Sequence, residues 1–340
     1  MQRLGRRSLL TARKEINVSI HSISAAVFAV MLTAGLSVTT KPMHAQRGGQ
    51  APDAAGRGGP GSQGRGAEGG RGAGDQAGCP GEPAAKFFPC ATERAKTFRP
   101  ARMSDGKPDL QGFWQPGRSR RVIEAHPEEP GQGGLPAEAS LVVDPPDGKI
   151  PFKPEGAARR ANLMSQQETL KTSLEFMDPG ARCFAKGVPR MHMNNPAFFE
   201  FVFTPTTLFI LHEQNHVYEI IPLDGSPRLS KNIKLWMGDQ RGHWEGDTLV
   251  VETTNHNGRS WIDDRGAHIS DNAKVTERYT LIDPDVIFFV ATIEDPTVFT
   301  RPWTMAFPLR RNKEPGLERM EFACHEGNRS NELQLAADKQ

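Results

Sequence analysis

The second half of the chain alternates apolar and polar residues in short runs that are separated by turn residues. Successive side chains of a β-strand point to opposite faces, so this period of two is typical of strands with one buried face. Dipeptides such as Gln214-Asn215 and Asp224-Gly225 separate the runs. The pattern predicts eight antiparallel strands: Phe198–Thr204, Leu208–Glu213, His216–Ile221, Thr248–Thr254, Ala273–Ile282, Val286–Ile293, Trp303–Arg310 and Leu317–Cys324.

These strands predict a mainly β fold over residues 183–330, namely an antiparallel lipocalin-like barrel or meander, with a β-sandwich as the alternative. A parallel sheet would need strands that alternate with helices, and that order is absent from the sequence. Residues 79–182 are rich in proline and are expected to form an irregular N-terminal extension. One helix is expected there, from Glu155 to about Glu175, because apolar residues recur at helical spacing. Residues 331–340 are expected to be a tail.

The N-terminal residues are typical of an exported protein. A basic start is followed by an apolar run from Ile23 to Val38 and by small residues up to Ala45, which predicts a signal peptide over 1–45. A retained N-terminal anchor is the alternative. Residues 46–78 are rich in Gly and Arg and are expected to form a disordered linker. We therefore expect a periplasmic or secreted protein without stable membrane insertion, since no later apolar run reaches the length of a span.

The charge of the chain is unevenly distributed. Residues 1–74 hold ten of the 42 Lys and Arg residues and three of the 40 Asp and Glu residues, so the remainder carries a net charge of −5. Nucleic acid is therefore not expected as a partner, because its phosphates require clustered positive charge.

The chain contains four cysteines. An even number of cysteines in an exported protein predicts disulfides, and we expect the pairs Cys79–Cys90 and Cys183–Cys324. Free buried thiols are the alternative. No Cys-x-x-Cys spacing supports a metal site built on cysteine.

Several blocks in the second half share a recognisable pattern. They are Gly187-Val188-Pro189-Arg190, Trp236-Met237-Gly238, Gly242 to Thr253, Val275-Thr276-Glu277-Arg278-Tyr279, Asp295-Pro296 and Arg301-Pro302-Trp303. From about Ala101 to Arg329 the chain resembles a family of uncharacterised secreted bacterial proteins with a GRWEGDTLVVET / VTERF / TRPW pattern. The resemblance implies export and a lipocalin-like barrel, and it supplies no catalytic residues. In similar sequences an aromatic residue or glycine often replaces His256.

Glu277 is the strongest candidate for a catalytic residue. It shares one face of its predicted strand with Val275 and Tyr279, so it faces the interior if the apolar face does. Burial without a partner would raise its pKa into the range of a general acid or base. The alternative is a structural salt bridge to Arg241 or Arg310.

Glu252, His256 and His268 complete the predicted catalytic group. Glu252 lies near the end of its strand and would share acid and base roles with Glu277. His256 or His268 would act as the partner, because imidazole titrates near neutral pH. The same histidines and Asp263 form a weaker candidate for a divalent metal site, and no other cofactor is expected.

The substrate-binding residues are expected to be arginines and tryptophans. Arg241 or Arg278 would hold an anionic group of the substrate. Trp244, Trp261 and Trp303 lie near turns or strand ends, where aromatic rings at a barrel mouth stack on a sugar or an aromatic ligand. Packing in the core is the alternative for these rings.

Two functions follow from these residues. The first is an exported enzyme that acts by acid/base chemistry, as a hydrolase, lyase or isomerase, on a small organic molecule or saccharide in the barrel cavity. The second is a non-catalytic binding or carrier protein with the same fold. The ionisable residues within the strands favour the enzyme, because a carrier of apolar ligands needs few of them. The sequence has no serine elbow, phosphate loop or dinucleotide fingerprint.

Overall fold

The computed structural model describes residues 75–128, 136–166, 176–193 and 198–326. The predicted signal peptide, residues 46–74 of the predicted linker and the predicted tail lie outside these ranges. A search of the described helices for one with the length and apolar content of a membrane span found none.

The described residues form twelve strands and three helices. The strands are β1 (Asp75–Gln76), β2 (Cys79–Pro80), β3 (Gly112–Pro116), β4 (Val142–Asp144), β5 (Phe199–Phe203), β6 (Thr207–His212), β7 (Tyr218–Pro222), β8 (Asp239–Glu245), β9 (Thr248–Thr254), β10 (Lys274–Asp283), β11 (Val286–Glu294) and β12 (Trp303–Arg311). The helices are α1 (Ala84–Thr97), α2 (Pro154–Ser165) and α3 (Arg190–Met193), and short 3-10 turns occupy Pro179–Arg182 and Gln214–His216.

Nine strands follow one another around a single antiparallel sheet. Their order is β7-β6-β5-β3-β12-β11-β10-β9-β8, and β4 pairs with the side of β12. The end strands β7 and β8 lie side by side, with Cα atoms of the two strands within 8 Å of each other. The sheet is therefore a nearly closed barrel, which confirms the predicted antiparallel barrel.

The alternation of side chains in β10 determines what the barrel encloses. Val275, Glu277 and Tyr279 are fully buried, whereas Thr276 and Arg278 on the opposite face are partly exposed. Glu277 pairs in register with residues of β9 and β11, at the centre of the regular meander. The prediction that Glu277 faces the interior is confirmed.

The helix α1 lies in the segment that was expected to be irregular, and it contains Pro89, although proline removes a helical hydrogen bond. Its Phe87 and Ala91 pack against Ile282 and Phe288 on the outer face of the barrel. The rings of Phe87 and Phe288 meet edge to face with their centroids 5.6 Å apart. Most helical stability in proteins comes from such packing, which compensates for the proline here.

The strand pattern differs from the prediction at three places. The strand β3 comes from the segment expected to be irregular and lies between β5 and β12. The strand β8 was not predicted, and the predicted strand Leu317–Cys324 is a chain of turns and irregular backbone. The sheet therefore includes residues from before position 183. The helix α2 ends at Ser165, and residues 167–175 of the predicted helix lie outside the described ranges.

Both predicted disulfides are present. The Sγ atoms of Cys79 and Cys90 are 2.03 Å apart, and those of Cys183 and Cys324 are 1.98 Å apart. Two disulfides fit an oxidising compartment, in agreement with the export suggested by the N-terminus.

Candidate functional site in the barrel interior

Six polar side chains meet inside the barrel, and each of them is at most 4% exposed. We call them the interior cluster: His192 of α3, His212 of β6, Glu219 of β7, Gln240 of β8, and Glu277 and Tyr279 of β10. Polar groups are costly to bury without partners, so their meeting in one place requires a physical account.

The helix α3 carries His192 into the barrel. Its first residue, Arg190, is almost fully buried, and its guanidinium donates to the Asp178 carboxylate at 2.9 and 2.5 Å and to Asp264. The His192 ring then packs edge to face against Phe199, with centroids 5.0 Å apart. The ion pairs of Arg190 thus anchor the short helix that places the imidazole of His192 inside the barrel.

Glu219 is the best-partnered member of the cluster. His212 Nε2 lies 2.6 Å from Glu219 Oε1, and Gln240 donates to Glu219 Oε2. Burial raises the pKa of Glu219, but His192, His212 and Gln240 outweigh it and hold the pKa below its ordinary value. Burial also lowers the pKa of His212 more than Glu219 raises it. These directions describe a neutral His212 that donates to an ionised Glu219.

Glu277 lies across His192 from Glu219. Its Oε1 atom is 3.3 Å from His192 Nδ1, yet neither carboxyl oxygen has an aligned hydrogen bond among the described residues. Burial, reinforced by the Glu219 charge, raises the pKa of Glu277 despite the opposing effect of His192. Burial lowers the pKa of His192, but the two carboxylates outweigh it and raise that pKa.

The Tyr279 hydroxyl lies 3.5 Å from His192 Nε2. Burial and the two nearby carboxylates raise the Tyr279 pKa well above its ordinary value, so the phenol keeps its proton. The cluster therefore contains two carboxylates whose pKa values are shifted in opposite directions, with an imidazole between them. Such a division is typical of sites that separate acid and base roles.

The expected pairing of Glu252 with Glu277 is wrong. Glu252 lies on the outer face of β9, where its side chain is 34% exposed and pairs with Lys274 at 2.5 Å and with Arg228 at 3.3 Å. The hydrogen bond from Lys274 contributes most to lowering its pKa, so the carboxylate is a solvated ion-pair partner.

The predicted arginine clamps also lie outside the barrel. Arg241 binds Asp239 at 2.6 Å and the Ser226 carbonyl at 3.0 Å, and Arg278 binds Glu245 at 2.5 Å. In the described chain, the ion-pair partner of Glu277 is His192, so the alternative salt bridge of Glu277 to Arg241 or Arg310 is also wrong.

His256, Asp263 and His268 do not converge on a metal site. Among the described residues, the group with metal-binding spacing is His192, His212 and Glu219. Asp263 accepts the backbone N–H groups of Arg265 at 2.8 Å and of Ala267 at 2.9 Å, so it organises its own loop. His268 Nδ1 lies 3.1 Å from the Gly266 carbonyl, and burial lowers the pKa of His268.

The three predicted tryptophans lie in different environments. Trp244 lines the inner face of one end of the barrel wall beside Phe203, with centroids 6.2 Å apart. Trp261 lines a surface cleft of about 320 Å³. Trp303 is fully buried and packs against Phe299, so it belongs to the core and not to a mouth.

His256 predicts a pH dependence of stability. It is buried, and burial lowers its pKa from 6.5 to about 4, against smaller opposing effects of the Thr253 backbone and of Asp295 and with a reinforcing effect of Lys234. The unfolded chain therefore binds a proton between pH 6.5 and 4 that the folded chain does not. The stability is fully present above pH 6.5 and is lost as the pH falls towards 4, by roughly 3 kcal/mol.

Urea unfolding of the wild type and of His256→Phe, measured from pH 7.5 to 4, checks this expectation. The phenylalanine ring is similar in size and does not titrate, so the difference between the two proteins isolates His256. Parallel pH profiles for the two proteins would contradict it.

Five members of the cluster, all except Glu277, were not predicted from the sequence to be functional residues. His192 lies in a single helical turn without periodicity, and Glu219 lies in a predicted strand that has apolar residues in both phases. The available signal was in the neighbouring strand, where His212 alternates with Leu208 and Ile210, which are fully buried.

Comparisons with protein-family models, with the curated proteins and with the solved structures found no match to this chain. The chemistry of the interior cluster therefore has to be interpreted from its own geometry.

Proposed function

We propose that this protein is an enzyme that acts by acid/base chemistry, as a hydrolase, lyase or isomerase, on a small organic molecule or saccharide bound in the barrel. The observation that supports it most is the Glu277 carboxyl group, which is fully buried without an aligned hydrogen bond among the described residues. Buried polar groups in structural positions are normally satisfied, so an unsatisfied one calls for a functional account.

The residues around Glu277 have complementary roles in this proposal. Glu277 exchanges a proton with the bound molecule, and His192, 3.3 Å from its Oε1, orients the carboxyl group. Glu219 is fixed by His212 and Gln240 and supplies a constant charge on the other side of His192. Proton transfer by a positioned side chain requires this kind of fixed geometry.

The proposed compartment is the periplasm or the extracellular space. The two disulfides and the basic and apolar residues near the N-terminus support this location.

The variant Glu277→Gln tests the function, because the amide keeps the shape of the carboxyl group and cannot exchange its proton in the same way. Wild type and variant are incubated with a mixture of glycosides, esters, lactones and hydroxy acids, and substrates and products are followed by mass spectrometry. We expect at least one compound to be consumed by the wild type and its rate to fall about 10²–10⁴-fold in the variant.

The variant Glu252→Gln is the matched control, since it makes the same chemical change on the outer face, and we expect it to retain the wild-type rate. Circular dichroism verifies that both variants fold. Turnover by Glu277→Gln at the wild-type rate would exclude Glu277 as the proton carrier. A compound that the wild type binds but never converts would instead support a carrier.

A further inference from the structure

We propose that the interior cluster binds one divalent transition-metal ion, with His192, His212 and Glu219 as its protein ligands. Each residue offers one ligand atom, and these atoms all lie within 4.8 Å of one another. The proposal does not depend on the activity proposed above, because a metal ion can be measured without a substrate.

The geometry is close to that of a bound site. Ligand atoms about 2.0–2.2 Å from a zinc ion at tetrahedral angles are about 3.4 Å from one another. Glu219 Oε1 lies 3.5 Å from His192 Nε2 and 2.6 Å from His212 Nε2. The first distance already has this spacing, whereas the hydrogen-bonded atoms of His212 and Glu219 would have to move about 0.8 Å apart to admit an ion.

The donor set identifies the class of metal. Two imidazoles and one carboxylate suit zinc, iron(II), manganese(II) or cobalt(II), whereas calcium prefers a shell of oxygen atoms. Three protein ligands also leave a coordination position for water or for a bound molecule. The Tyr279 hydroxyl, 3.5 Å from His192 Nε2, lies beside this group of ligands.

The surrounding residues provide a second, independent observation. In metal sites a histidine ligand usually donates its other ring N–H to a carboxylate, and a carboxylate ligand is itself hydrogen-bonded. Here Glu277 Oε1 lies within ion-pair distance of His192 Nδ1, at 3.3 Å and without the alignment of a hydrogen bond, and Gln240 donates to the second oxygen of Glu219. Both outer partners are fully or almost fully buried.

The experiment uses the full chain, stripped of metal by a chelator and then dialysed. Zinc(II), cobalt(II) and manganese(II) are each titrated by calorimetry, and the bound metal is counted by mass spectrometry. We expect one ion per chain. For cobalt(II), we also expect a visible absorption spectrum typical of an ion bound by imidazole and carboxylate ligands. Since a ligand that binds only the folded state stabilises it, we also expect the bound metal to raise the unfolding temperature.

The variants separate this site from adventitious binding. His212→Gln removes a ligand and should abolish stoichiometric binding, whereas Glu277→Gln keeps all three ligands and should weaken binding about 10–100-fold. His256→Gln and His268→Gln are matched controls, because both histidines are buried outside the cluster, and they should bind like the wild type. Glu277→Gln keeps the test valid if His212→Gln does not fold.

The outcomes distinguish the two proposals. Failure of the folded wild type to bind any of the three ions, or binding by His212→Gln with wild-type affinity, would overturn the metal site. Turnover that persists in the metal-free protein would leave the proposed enzyme intact, whereas stoichiometric metal with no converted compound would contradict only the enzyme.

Discussion

Replacement of Arg190 by methionine is expected to lower the free energy of unfolding by roughly 3–5 kcal/mol, because it leaves two carboxylates without their shared buried cation. The Arg190 side chain is 2% exposed, and those of Asp178 and Asp264 are 17% and 18% exposed. Arg190 also donates to the Trp261 carbonyl at 3.1 Å, so the replacement removes a hydrogen bond to the backbone as well. Burial opposes the charge on Arg190, yet Asp178 outweighs it and raises the pKa of the guanidinium.

Urea unfolding at neutral pH measures this effect as a shift of the midpoint at constant slope. Arg190→Lys is the control, because it retains the charge but loses the two-pronged geometry, and its stability should fall between those of wild type and Arg190→Met. A loss below about 1 kcal/mol in Arg190→Met would be that of an exposed ion pair and would contradict the prediction.

Removal of the Cys183–Cys324 disulfide by a double serine substitution is expected to have a similarly large effect. The bond closes a loop with a sequence separation of 141 residues. In the chain-entropy model, closing a loop of this length stabilises the folded state by about 5 kcal/mol. The segment near Cys324 has no strand, and one of its tertiary contacts is the bond from the Phe322 N–H to His216 Nε2 at 2.8 Å.

The Cys79–Cys90 disulfide is the natural comparison, since its separation of 11 residues predicts a smaller loss of about 3 kcal/mol. Both double variants are unfolded in urea under identical conditions. A smaller loss for the long loop than for the short loop would show that loop length does not determine the effect.

Much of the barrel was predictable because one-sided burial imposes a period of two on a strand. The bounds of β9, β10, β11 and β12 agree with the prediction to within one residue. The phase of Val275 and Tyr279 also placed Glu277 in the interior correctly. The alternation of apolar and polar residues within a strand is sufficient to predict its buried face where apolar residues occupy that face continuously.

The same argument failed at Glu219, because the strand offers apolar residues in both phases. Tyr218 and Ile220 are 62% and 51% exposed, whereas Glu219 and Ile221 are buried. The closure of the barrel, and not the hydropathy of β7, decides which phase faces inwards. That closure depends on pairing between residues distant in the sequence, so no local pattern reveals it.

Glu252 shows a related limit. Thr248–Thr254 was predicted with exact bounds, yet Val250, in the same phase as Glu252, is itself buried on the outer face. Other segments of this protein therefore cover part of the outer wall of the barrel. Position near a strand end did not indicate exposure to the interior, because the register with Arg241 and Thr276 places Glu252 outside.

The two end strands of the sheet, β7 and β8, are joined in an unusual way. In the described part of the chain no backbone ladder joins β7 to β8, and the hydrogen bond between them runs from Gln240 to Glu219 inside the barrel. The edge between β7 and β8 is thus joined by a hydrogen bond between two residues that also belong to the interior cluster. Separation of β7 from β8 would therefore also remove the hydrogen bond that fixes the second carboxylate oxygen of Glu219, so the joining of these two strands and the geometry of the interior cluster depend on the same contact.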